Sequence, residues 1–136
     1  MKKILFISGS VGLGHVTRDF AIARALRKHN PDAEIVWLSE DPATSFLKGE
    51  GEKVLPDAAK IIHGNRHLPD PEKYELNVMS WFMKYRKTMG ENVKVLLDVI
   101  GREKPDLVVG DETLDLMLSL NDKPDLKKFP FSMIFD

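Results

Sequence analysis

Residues 2–18 read KKILFISGSVGLGHVTR, a short apolar run followed by a turn rich in glycine and serine. The apolar run Ile4–Ile7, ending in such a turn, is typical of a parallel strand that is buried on both faces. After the turn, apolar residues recur at helical spacing at Val16, Phe20 and Ala23, which predicts an amphipathic helix. This order of strand, glycine-rich turn and helix is how an α/β fold begins.

The rest of the chain continues the alternation of strands and helices. Such alternation predicts an α/β fold, a right-handed parallel sheet with helices on both faces, whose ligands lie outside the carboxyl ends of the strands. We therefore expect the glycine turn, the loop from Pro56 and Asp111 to meet at one edge. The further predicted elements are a strand at 33–38, a short helix at 42–48, a weak strand at 53–55, a long helix from about 75 to 100, a strand at 105–111, a short helix at 114–120 and a last strand at 131–135.

Size and composition narrow the class of protein. A chain of 136 residues, 43% hydrophobic and 30% charged, predicts one globular domain. A formal net charge of −1 provides no field to attract nucleic acid, so we expect no nucleic-acid partner. The chain contains no cysteine, which excludes disulfides, thiolate nucleophiles and cysteine-based zinc sites and fits a cytoplasmic location. No apolar segment approaches the roughly 18 residues that a membrane-spanning helix needs.

The glycine turn favours close contact with an anion, because small residues let the backbone approach a ligand and a helix start presents free N–H groups. Its spacing, Gly9-x-x-Gly12-x-Gly14, matches neither the dinucleotide fingerprint nor a phosphate-binding loop of the Walker type. The next residue is His15, and Asp111 is predicted at the same sheet edge. A carboxylate on one imidazole nitrogen would fix the tautomer and leave the other nitrogen as a base.

Two motifs resemble a known family. The run GLGHVTR at residues 12–18 resembles the N-terminal signature of GT-B glycosyltransferases, among them the UDP-glycosyltransferases and the N-acetylglucosaminyltransferase of peptidoglycan synthesis. PDLVVGD at residues 105–111 resembles the segment in which plant-type members carry the aspartate partner of the catalytic histidine. The resemblance implies that residues 1–136 form a Rossmann-like acceptor-side domain, with His15 as general base and Asp111 as its orienting carboxylate. It further implies that substrate or diphosphate binds at Ser10, Gly12, Leu13, Gly14 and Arg18.

By that resemblance the nucleotide-sugar donor is a substrate, no cofactor or metal is required, and the acceptor is a small molecule or a lipid-linked glycan. GT-B enzymes bind the donor mainly in a C-terminal domain. Since the sequence ends at Asp136 directly after a predicted strand, we expect it to be part of a longer two-domain protein. Alone, such a fragment would be inactive.

Two alternatives remain at this point. Many family members have proline three residues after the histidine, whereas this chain has Arg18, as in the related nucleotide-sugar hydrolase of pseudaminic acid biosynthesis. In that case His15 would activate water. The second alternative is a non-catalytic half that recruits a separate donor-binding subunit.

The acidic residues after Asp111 and the histidine pair of the loop from Pro56 are weaker candidates for a site. Glu112, Thr113 and Asp115 are best explained as a solvated helix start, because acidic residues stabilise that end of a helix. His63 and His67 are four residues apart, but without a carboxylate at a fixed offset they make a weak metal site, and we expect them near an acceptor instead.

The long helix combines Met79, Trp81 and Met83 with lysines and an arginine, which would suit contact with the inner face of a membrane. Ordinary packing against the sheet, with a solvated lysine face at Lys84 and Lys87, is the favoured interpretation.

Overall fold

The computed structural model describes residues 2–9, 12–62 and 78–135. In these ranges four strands form one parallel sheet in the order β2-β1-β3-β4. Two 3-10 turns, at Pro56–Lys60 and Pro124–Leu126, complete the regular structure described. The strands and helices are β1 (Lys3–Ile7), α1 (Gly14–His29), β2 (Glu34–Leu38), α2 (Ala43–Gly49), α3 (Val78–Glu103), β3 (Leu107–Asp111), α4 (Leu114–Asp122) and β4 (Phe131–Ile134).

β1 lies in the middle of the sheet and pairs in parallel with β2 and β3. Leu5 is opposite Val36 on one side and Val108 on the other. In β1, β2 and β3 every residue after the first is buried, as expected for parallel strands with both faces covered. The predicted α/β class and parallel sheet are therefore confirmed.

Each face of the sheet has its own core. On one face α1 and α2 cover Phe6 and Trp37, whose rings lie 4.7 Å apart. On the other face α3 and α4 cover Leu5 and Val108. Successive residues of a strand point to opposite faces, so each central strand contributes to both cores.

The predicted weak strand at 53–55 is only a single bridge. Val54 is opposite Trp37 in parallel, with Trp37 N donating to Lys53 O at 2.9 Å and Leu55 N donating to Trp37 O at 2.8 Å. Pro56 follows and begins a 3-10 turn, and because proline has no N–H it cannot extend the ladder. The last predicted strand, 131–135, is present as β4.

The first turns of α3, the predicted long helix, do not pack as predicted. Its later turns lie on the sheet through Val93 and Leu96, but Met79 and Met83 are each 68% exposed and Phe82 is 49% exposed. A helix of 26 residues is about 39 Å long, whereas a strand of 5 residues spans about 17 Å. The first turns of α3 therefore extend beyond the sheet. Packing against the sheet, favoured for this segment from the sequence, is wrong there.

Lys84 and Lys87 are exposed, as predicted, and Lys94 on the same helix is exposed as well. Within the described ranges, none of the helices has the length and apolar character needed to cross a membrane.

Candidate active site

The glycine turn places His15 at the start of α1. Gly12 has φ +70°, a left-handed conformation that glycine adopts without strain. Two residues later Gly14 begins α1, so His15 lies in its first turn. Gly12, Leu13 and Gly14 are all exposed. Ser10, the other residue predicted to bind substrate here, is outside the described ranges.

Asp111 is the last residue of β3, the neighbour of β1, and the structure brings it against His15. Asp111 Oδ2 lies 3.0 Å from His15 Nδ1, and Asp111 is 2% exposed. An ionised carboxylate only accepts hydrogen bonds, so Nδ1 carries the proton and donates it to Asp111. The lone pair is then on Nε2, the nitrogen that a general base needs.

Arg18 is the third member of this group. Its Nη2 donates to Asp111 Oδ1 at 2.7 Å and lies 3.4 Å from His15 Nδ1. Both oxygens of Asp111 therefore have a cationic or imidazole partner, which fixes the orientation of the carboxylate. The role predicted for Arg18 beside a diphosphate stays a prediction; in this structure its guanidinium contacts Asp111.

Asp19 belongs to the same cluster and was missed in the sequence. It is fully buried and accepts a hydrogen bond from Ser8 Oγ at 2.6 Å. Burial, and next the charge and hydrogen-bonding contact of Asp111, raise the pKa of Asp19 to about 6, against the opposing effects of Ser8 and Arg18. A signal was available, because Asp19 is four residues after His15 and lies on the buried helix face of Val16 and Ala23.

Glu112 stands on the other side of the imidazole. Its Oε2 lies 3.5 Å from His15 Nε2, and its side chain is 43% exposed. Glu112 has φ +51°, an uncommon conformation for a residue other than glycine, and such residues are frequent at functional sites. The turn depends on Gly110, where a Cβ atom would collide with Thr113 Oγ1.

Asp115 corrects the interpretation of the α4 start as solvated. Glu112 is exposed, but Asp115 is 7% exposed and accepts a hydrogen bond from Asn92 Nδ2 at 3.2 Å. The first turn of α4 faces α3, which explains the burial. Asn92 also bonds the backbone of Ile62, donating to its O at 2.6 Å and accepting from its N at 2.9 Å. Tyr85, one of the cleft residues, has its pKa raised to about 12 by burial and by Asp115.

A small cleft opens at this edge of the sheet, where the segment after Pro56 and Asp111 meet; of the predicted site residues among those described, only Asp111 lines it. It lies between the carboxyl ends of β1, β2 and β3 and the facing side of α3. Its lining includes Ser8, Ser39, Ile62, Tyr85, Asn92 and Asp111. His63 and His67, which we expected near an acceptor, lie outside the described ranges. Within those ranges, no group of three or more histidine, aspartate or glutamate side chains could hold a metal ion.

Known proteins similar to this chain are glycosyltransferases. It is 32% identical over 118 residues to a PGL/p-HBAD biosynthesis rhamnosyltransferase of Mycobacterium bovis, covering 87% of this chain and 24% of the relative. It is 29% identical over 108 residues to the UDP-N-acetylglucosamine–N-acetylmuramyl-(pentapeptide) pyrophosphoryl-undecaprenol N-acetylglucosamine transferase of Desulfitobacterium hafniense, covering 79% of this chain and 26% of the relative. The chain thus spans about a quarter of the length of these relatives. No protein-family profile matches it.

The fold is also found in solved structures. The glycosyltransferase SsfS6 of Streptomyces sp. SF2575 matches with a TM-score of 0.61 and 19% identity, over 98% of this chain and 39% of SsfS6. At that identity the match establishes the fold. The resemblance predicted from residues 12–18 and 105–111 is therefore confirmed. This chain has the fold of GT-B glycosyltransferases over nearly its whole length and is related to glycosyltransferases in sequence.

Proposed function

We propose that this chain is the acceptor-side, N-terminal domain of a glycosyltransferase in which His15 is the general base. The observation that carries the proposal is the 3.0 Å contact between His15 Nδ1 and buried Asp111. With the proton on Nδ1, Nε2 is free to act as a base at the sheet edge where α/β folds bind ligands, and the partners of His15, Asp111 and Glu112, line the cleft there. A neutral imidazole is suited to accept a proton from a hydroxyl at neutral pH.

The reaction is a displacement at the anomeric carbon of a nucleotide-activated sugar. Nε2 takes the proton of an acceptor hydroxyl while its oxygen forms the new bond to the anomeric carbon. The bond to the diphosphate oxygen breaks and the diphosphate leaves with its electron pair, so the configuration inverts. Asp111 stabilises the imidazolium at Nδ1, and Glu112 Oε2, 3.5 Å from Nε2, adds a second negative charge nearby.

The donor class follows from the relatives and from the turn. One relative is named for transfer from a UDP-sugar and another for transfer of rhamnose. Free N–H groups at the start of α1, after Gly12, favour the leaving diphosphate. Because the chain spans about a quarter of those relatives, the main donor site belongs to a further domain or a subunit. An acceptor carried by a lipid and contact with a membrane surface stay predictions.

The test is His15→Ala in the complete polypeptide that contains this sequence, assayed with UDP-sugars and dTDP-sugars. Donor binding is measured by calorimetry and turnover by release of the nucleoside diphosphate. We expect turnover to fall by at least about 100-fold, the usual contribution of a general base, with donor affinity nearly unchanged. His29→Ala is the matched control, because His29 is exposed at the opposite end of α1.

Turnover close to that of the unchanged protein would exclude His15 as the base. Release of free sugar without an acceptor, dependent on His15, would instead identify the hydrolase.

A further inference from the structure

Asp19 is a buried acid that the proposed reaction does not use. It lies on the same face of α1 as His15 and Arg18, which precede it by four residues and by one. Its side chain is enclosed between α1 and the carboxyl ends of β1 and β3, with none of its surface exposed. Buried carboxyl groups are rare unless they are paired or hold their proton.

The two oxygens of Asp19 differ. Oδ2 accepts the hydrogen bond from Ser8 Oγ, whereas no N–H or O–H group among the described residues donates to Oδ1. The neighbouring group is the carboxyl of Asp111, which is itself an acceptor from His15 and Arg18. Two carboxyl groups in contact form a hydrogen bond only when one of them is protonated. Asp111 is engaged as a carboxylate, so the proton belongs to Asp19.

We propose that Asp19 is a positioning residue that acts on His15 through Asp111, by holding a proton between the two buried carboxyl groups and releasing it as the pH rises. Its catalytic meaning rests on the proposed function. With Asp19 protonated, Asp111 and Arg18 balance each other, and an imidazolium at His15 has only the half-exposed carboxylate of Glu112 to balance its charge. With Asp19 ionised, the extra negative charge compensates the imidazolium.

His15 therefore binds its proton more tightly once Asp19 is ionised. The pKa of about 6 for Asp19 agrees with a change between these two states just below neutral pH. The charged groups around the pair are Asp111 at the end of β3, Arg18 on α1 and Glu112 after β3.

The test is a pH titration of this chain by NMR, following the ring signals of His15 and the side-chain carboxyl carbon of Asp19. Asp19→Asn keeps an oxygen for Ser8 and an N–H donor for Asp111 but removes the charge. We expect the midpoint of the His15 titration to move to lower pH by roughly one unit, while the midpoint of His29 stays constant. If Asp19 only packed against its neighbours, the midpoint of the His15 titration would not move.

Ser8→Ala provides a second variant that leaves Asp19 in place. The Ser8 hydroxyl stabilises ionised Asp19, so its loss moves the carboxyl titration of Asp19 to higher pH, and the coupled step in the His15 signals moves with it. An unchanged His15 midpoint in Asp19→Asn would overturn the proposal; if that variant does not fold, unchanged titrations in Ser8→Ala would do so. Neither titration measures turnover. This inference can therefore fail while His15 is the general base, and His15 can fail as the general base while this inference holds.

Discussion

Asp19 and Asp57 are two almost completely buried aspartates whose pKa values are shifted in opposite directions. Asp57, in the 3-10 turn at Pro56–Lys60, accepts hydrogen bonds from Arg102 Nη2 at 2.6 Å and Lys60 Nζ at 3.2 Å, and Arg102 above all lowers its pKa to about 2. Asp19 is at the candidate active site, and burial beside another carboxyl raises its pKa to about 6. Both are at most 3% exposed. Burial is the largest cause that raises the pKa of Asp19, and the neighbouring carboxyl of Asp111 adds to it, whereas at Asp57 the hydrogen bond from Arg102 outweighs the effect of burial.

The two acids make stability depend on pH in opposite directions. The folded pKa of Asp57 is below its ordinary value of 3.8, so its contribution is present above that pH and is lost as the pH falls through about 2. The folded pKa of Asp19 is above 3.8, so its contribution is present below that pH and is lost as the pH rises through about 6. Asp57 therefore stabilises the neutral-pH fold, whereas ionised Asp19 costs stability there.

Asp19→Asn is expected to cause the largest change in the free energy of unfolding, at pH 8. Removing a buried charge should raise the free energy of unfolding by up to about 3 kcal/mol relative to the unchanged chain, because a shift of about two pKa units corresponds to that energy. At pH 3.5 the two proteins should be nearly equal. Urea unfolding at both pH values measures the difference. A gain of equal size at both pH values would show that the ionisation of Asp19 is not what lowers the stability.

Asp57→Asn should lower the free energy of unfolding, by less than Asp19→Asn raises it. We expect a loss of about 1–2 kcal/mol at pH 7, reduced by solvent because the Arg102 side chain is 48% exposed. The loss should shrink toward pH 2, where Asp57 takes up a proton in the unchanged chain. Urea unfolding across that range checks this, with exposed Asp32→Asn as the matched control. No loss at pH 7 would show that the Arg102 pair does not stabilise the turn.

Lys60→Ala should change stability least. Lys60 Nζ lies 3.2 Å from Asp57 Oδ1, but the side chain is 65% exposed, and such ion pairs contribute less than about 1 kcal/mol. Adding 0.5 M salt should remove most of that difference in urea unfolding. A loss as large as that of Asp57→Asn would mean that Lys60, and not Arg102, is the main partner of Asp57.

Much of the fold could be predicted because its signals are local. The apolar run at Ile4–Ile7, the glycine turn and the helical repeat after it each have a direct counterpart in β1 and α1. The exposed start of α3 could not be predicted in this way. Phe82 continues the helical repeat of apolar residues that Val93 and Leu96 belong to, yet it is exposed. Whether a residue of that repeat is buried depends on where the sheet ends, and helical periodicity does not reveal this.

The candidate site was predictable to the extent that parallel strands end at one edge. His15 and Asp111 are 96 residues apart in sequence, yet β1 and β3 are neighbours, so their contact follows from topology. Asp19 was missed although it shares the apolar helix face of Val16 and Ala23, and Asp115 was interpreted as solvated, because the burial of both depends on which side of a helix faces the sheet or α3. For an acid in a helix, that is decided by tertiary packing.

Asn92 has one further consequence. Its side-chain amide bonds both backbone groups of Ile62 and also reaches Asp115, so the chain is fixed to α3 and α4 at that point. One amide therefore holds together three parts of the cleft lining that are far apart in the sequence, at Ile62, in the middle of α3 and in the first turn of α4. Loss of that single side chain would release all three at once, which makes Asn92 the clasp of this side of the cleft.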